Sequence, residues 1–135
     1  MSGNAAVAVI GAGTGLAIGL IVRYLNNKAL RQLRRARKEF LKAVRQRLPI
    51  TDVFTVDGNF KHPVIWITTA SDFERDRLRQ DENVPDQFRT ALVHVGYSTE
   101  DIPLAQFVFE SQQTVNRDFG GSWSKRRYAW ARNNY

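Results

Sequence analysis

The sequence predicts an α+β protein in which an N-terminal transmembrane helix and a basic helix precede a small antiparallel sheet covered by helices. Three observations predict it. Ala5 to Val22 carries no charge and only Thr14 has a polar side chain; ten Lys/Arg and one acid, Glu39, lie within residues 1–49; and beyond Pro49 strand-like segments alternate with amphipathic ones. The implied organisation is 1–25 membrane anchor, 26–48 basic juxtamembrane helix, 49–128 small α+β domain and 129–135 C-terminal tail.

As a helix, Ala5 to Val22 reaches about 27 Å, near the ~30 Å thickness of a bilayer's hydrocarbon core. Two rival readings fit less well. VAVIGAGTG resembles the strand and turn of a dinucleotide site, but Leu16 stands where the third glycine belongs, and bases replace the acid expected about 20 residues on. A cleaved signal peptide is disfavoured because MSGN lacks Lys and Arg, the apolar run is long and no clear A-x-A site follows. Gly11, Gly15 and Gly19 recur at helical spacing, with Ala8 extending the row. Such a glycine zipper lets another helix approach closely, so the expected membrane partners are other subunits or a second copy.

All Lys and Arg of this region follow the apolar run and none precedes it. The positive-inside rule then puts the C-terminal domain on the cytoplasmic side, or on the matrix or stromal side of an organelle. Residues 1–49 carry +9, residues 50–118 carry −6 and residues 119–135 carry +4, so the net +7 belongs to the two ends.

From Asn26 to about Arg47 the spacing of Leu30, Leu33, Phe40, Leu41, Val44 and Leu48, with Ala36 between, predicts a helix whose other faces are basic. Arg31, Arg34, Arg35 and Lys38 are its candidates for binding anionic lipid or a partner. Nucleic acid is the natural competitor for so many bases, but beside a membrane anchor topology alone explains them, and it is the less favoured partner.

Thr51 to Val56 and Pro63 to Thr69 predict a hairpin turned at Asp57-Gly58. Ser71-Asp-Phe-Glu74 is a capping box opening a charged helix to about Gln80. A second helix starts near Pro85, buries Phe88, Ala91, Leu92 and Val95, and stops at Gly96. Leu104 to Glu110 predicts a third strand, and Gln112 to Phe119 a short helix closed by Gly120-Gly121. The tail is basic and aromatic together. Trp123, Arg126, Arg127, Tyr128 and Trp130 make it a candidate interface for an acidic partner surface or for headgroups, as a fourth strand or outside the domain.

Catalytic chemistry finds little support. Cysteine is absent, His62 and His94 have no ligand-spaced companions, and no Walker lysine, nucleophile elbow or calcium loop occurs. No catalytic, cofactor or metal residue is assigned. The expected function is a single-pass, membrane-anchored accessory or scaffold subunit that binds partners through helix packing and its domain. The alternatives are a small membrane-attached hydrolase or transferase using carboxylates that spacing cannot pair, and a nucleic-acid-binding protein acting through the basic helix.

Overall fold

The structure is a computed structural model describing residues 5–55 and 62–134, apart from the side chains of 5–17, 19 and 22–26. Its elements are α1 (Ala5–Val44), β1 (Asp52–Thr55), β2 (Val64–Thr69), α2 (Asp72–Arg79), α3 (Asn83–His94), a 3-10 turn (Ile102–Leu104), β3 (Gln106–Ser111), α4 (Gln112–Phe119) and α5 (Trp123–Asn134). The class is α+β.

The expected membrane span is overturned. Among the described residues no helix is long and apolar enough to cross a membrane, and the single-pass architecture and cytoplasmic-side placement fall with it. Ala5 to Val22 is instead the start of a 40-residue helix that passes through Arg23 and Lys28 into the basic segment and carries eight Lys/Arg in all. Its second half is committed to the domain. Leu33, Ala36, Phe40, Leu41 and Val44 recur every three or four residues and are buried, so the basic segment is a wall of the core. Nearer the N-terminus, Ile18, Leu20 and Ile21 are exposed.

The sheet is mixed, which corrects the antiparallel expectation. In the order β1-β2-β3, β1 pairs antiparallel with β2 (Val53 opposite Ile67), whereas β3 runs parallel to β2 (Ile67 opposite Phe109). The reason is the connection: α2 and α3 intervene between β2 and β3, and a helical crossover returns the chain in the same direction. The Asp57-Gly58 turn lies outside the described residues.

Every residue of β2 is buried, so both faces of the sheet are covered. Val53, Ile65, Ile67 and Phe109 share one face and join α1 and α3 in the main cluster, where the Phe40 and Phe88 rings lie 5.3 Å apart. Phe54 and Trp66 share the other face, stacked at 5.7 Å, under α5. Trp66 is fully buried and its indole N–H has no acceptor among the described residues. That orphan costs about 1–3 kcal/mol, against which the buried ring must be set.

Local signals act as the sequence implies. Ser71 caps α2 and Glu74 returns to the Ser71 amide, completing the capping box. Gly120 takes φ +59° at the end of α4, and Gly121, at φ +81°, continues the left-handed turn that starts α5.

Phe40→Ala is expected to lower unfolding stability by about 3–5 kcal/mol in urea titration, the cost of emptying a packed aromatic site. A loss under about 1 kcal/mol would show that the second half of α1 lies outside the core.

Candidate functional site

Because β2 and β3 are parallel, both end on the same side of the sheet, and α2 and α4 begin there with Ser71 and Ser111 as caps. Five charged residues meet at this corner. Glu110, whose side chain is 4% exposed, sits between Arg75 Nη1 at 2.9 Å and Arg126 Nε at 2.5 Å, and also accepts from the Ser111 amide. Asp72 accepts from the Ser111 hydroxyl, from Thr114 Oγ1 at 2.6 Å and from Arg117 Nη1 at 3.0 Å.

The electrostatics follow from these donors. The Ser111 and Thr114 hydroxyls and the Arg117 guanidinium hold the Asp72 carboxyl well below the usual carboxylate range. Burial on its own pushes Glu110 up, but hydrogen bonds from Arg126, the Ser111 amide and Arg75 outweigh it and the pKa falls below the ordinary 4.5. General acid–base catalysis by a carboxyl needs a proton to exchange near working pH. These two are held ionised and surrounded by donors, which makes them a clamp joining α2, β3, α4 and α5.

The tail residues turn mostly inward. Trp123 meets the Phe54 ring edge-on at 5.7 Å, Trp130 meets Trp66 edge-on at 6.0 Å, and Arg126 lies 5.2 Å over Trp66. Arg127 lies 5.1 Å over Phe54, and Tyr128 alone of the five is strongly exposed. Gly11, Gly15 and Gly19 belong to the first half of α1, where the surrounding side chains are outside the described residues.

The opposite situation holds on the outer face of α1. Arg31, Arg34, Arg35 and Lys38 are exposed there, and Lys42 and Arg45 continue the row at the same spacing, Arg45 one residue past the helix end. At about 100° per residue all six fall within a sector of roughly 100°, turned away from Leu33, Phe40 and Val44. Among the described residues none of the six makes an ion pair, whereas Arg75, Arg79, Arg89, Arg117 and Arg126 each reach a carboxylate. The heptad-like continuation through Lys42 and Arg45 is visible in the spacing, although the basic-face candidates stop at Lys38.

One hollow opens beside this face and a second lies elsewhere on the domain. One of about 660 Å³ lies between α1 and β1, lined by Leu30, Arg34, Arg37, Lys38, Phe54 and Thr55. Arg37 is held in it by the Val53 carbonyl and, at 2.6 Å, by Asp52. A larger one of about 700 Å³, lined by Arg47, Phe73, Glu74, Arg77 and Asp81 among others, mixes both charge signs. His94 pairs with Glu39 at 3.1 Å on the surface, and among the described residues no group of three His, Asp or Glu is placed to hold a metal ion.

Comparison with protein families, with curated proteins and with solved structures finds no match to this chain.

Acid sensitivity should report the clamp. Both acids titrate below their ordinary values in the folded chain, so the unfolded chain takes up more protons as pH drops. Their contribution is full above about pH 4.5 and is lost as pH falls through the folded values. Glu110→Gln takes the carboxylate from the largely buried Arg126, while Arg75 keeps Asp72 and Asp76, and is expected to cost about 3 kcal/mol at neutral pH while flattening the acid limb of urea midpoint against pH. A variant with the wild-type profile would contradict the assignment.

Proposed function

We propose that this chain is a non-catalytic accessory or scaffold protein that docks a polyanionic partner through the outward face of α1. The observation that carries the reading is the row of six exposed cations with no ion-pair partner among the described residues, on a helix whose opposite side is core. Like charges three and four residues apart repel by a few tenths of a kcal/mol per pair, and an anionic partner relieves that repulsion while releasing counterions.

Membrane topology had offered another account of the bases, since an anchor explains a one-sided run of Lys and Arg. No helix among the described residues is long and apolar enough to cross a membrane, and binding is the explanation of the same residues that we favour. A non-catalytic role is favoured because the buried carboxylate, Glu110, is engaged in the clamp by Arg75 and Arg126. The exposed Ile18, Leu20 and Ile21 extend the same helix as surface for a partner to cover.

The triple variant Arg34→Glu, Arg35→Glu, Lys38→Glu tests the reading on a heparin column. All three side chains are exposed, so stability should change little, while the salt needed for elution should drop sharply. Elution at the wild-type salt concentration would refute docking through this face.

A further inference from the structure

We infer that the cleft between α2 and the segment after α1 binds a small organic monocarboxylate with an apolar body, its anion held by the Arg77 and Arg47 guanidiniums and its body packed on Phe73, Leu48 and Pro49. The site is separate from the outward face of α1 and does not rest on the polyanion reading.

By its place in the chain Arg77 has two carboxylates within reach. Glu74 precedes it by three residues and Asp81 follows it by four, the two spacings at which helical neighbours pair. Both acids turn to the backbone instead. Glu74 Oε1 accepts from the Ser71 amide at 3.3 Å and the Ser71 hydroxyl at 3.0 Å in the capping box, and Asp81 Oδ1 accepts from the Asn83 amide at 3.0 Å. Among the described residues Arg77 therefore has no ion pair, and its guanidinium lies 5.6 Å over the Phe73 ring of its own helix. Arg47, on the other wall, is in the same condition: it donates to the Ala43 carbonyl and to Gln87, each at 3.3 Å, and reaches no acid among the described residues. Two guanidiniums without carboxylates thus line one hollow of about 700 Å³.

The rest of the lining selects among anions. Leu48, Pro49 and Leu78 supply apolar wall, and Phe73, 68% exposed, keeps most of its surface uncovered beside them. A bare phosphate or sulfate would leave these surfaces unused. A polyanion is disfavoured because Glu74 and Asp81 also line the cleft and repel each added charge, and a cation would meet the two unpaired guanidiniums. A single carboxylate fits the planar fork of a guanidinium with two parallel hydrogen bonds, and an apolar body behind it covers the wall. The hollow falls within the ~300–1,000 Å³ of ordinary ligand sites, which combine apolar walls with a few polar groups in this way.

Titration of the full chain with 3-phenylpropionate, followed by amide shifts in two-dimensional NMR, tests the inference. The alcohol 3-phenylpropanol keeps the body without the charge, whereas acetate and inorganic phosphate keep a charge without the body. The account predicts saturable shifts confined to Arg47–Pro49 and Ser71–Asp81, a Kd of about 1 mM or tighter, and at least about tenfold weaker binding of all three controls. Arg77→Gln should weaken 3-phenylpropionate by about ten- to a hundredfold, the range of one charge-assisted hydrogen bond. Phe73→Ala should weaken it by roughly two- to tenfold, the range of one aromatic pair, without moving heparin elution. No saturable shift up to about 10 mM, equal binding of 3-phenylpropanol or of phosphate, or shifts centred on Arg31 to Lys42 would each overturn the inference and leave docking through the outward face of α1 as it stands. Should Arg77→Gln lose its dispersed spectrum, Arg47→Gln decides from the other wall: a loss of about tenfold upholds the site, and unchanged affinity contradicts it.

Discussion

Burial of one side of α1 is the constraint on which the rest of the structure depends. Leu33, Ala36, Phe40 and Val44 meet α3 and the sheet, and this contact fixes the rotation of the helix about its own axis. Once that rotation is set, Arg31, Arg34, Arg35, Lys38, Lys42 and Arg45 have to face outward, because a charge turned into the core without a partner would cost several kcal/mol. The same packing brings α1 alongside β1, where Arg37 donates to the Val53 carbonyl and pairs with Asp52. Core and candidate site are two sides of one helix.

The molecule treats its arginines in two ways. Those of the domain's far corner are enclosed by acids: Arg75 and Arg126 share Glu110, and Arg117 takes Asp72. Such a buried pair is weak evidence for net stability, but removing one member exposes the other to the full cost of an unpaired charge, so it fixes how α5 lies on the sheet. On α1 Arg37 takes Asp52, whereas among the described residues the six outward bases pair with no acid. The contrast within a single chain separates cations used for architecture from cations left for a partner.

Much of this was legible wherever the cause is local. Ser71 and Glu74 announce a helix start within four residues, Gly120 a helix end, and the spacing of Leu33, Phe40 and Val44 a buried stripe. Strand direction was not legible. Nothing within β3 says whether Phe109 will lie opposite Ile67 in a parallel or an antiparallel ladder, since that depends on how α2 and α3 cross the sheet. The span expected from Ala5 to Val22 is not supported, since no helix among the described residues is long and apolar enough to cross a membrane. In α5 the usual apolar stripe is missing: Trp123, Arg126 and Trp130 cover the sheet with rings and a guanidinium, so periodicity gave no signal. Arg31, Arg34, Arg35 and Lys38 stood out by charge.

Amide hydrogen exchange resolved along α1 tests the central claim most directly, since it asks whether the helix that presents the bases is itself part of the core. The account predicts that amides from Leu33 to Val44 exchange only through global opening, as slowly as those of Ile65 to Ile67 in β2. Exchange of Leu33 to Val44 orders of magnitude faster than β2 would mean that the basic segment is an independent helix, and the orientation of its cations would then be unexplained.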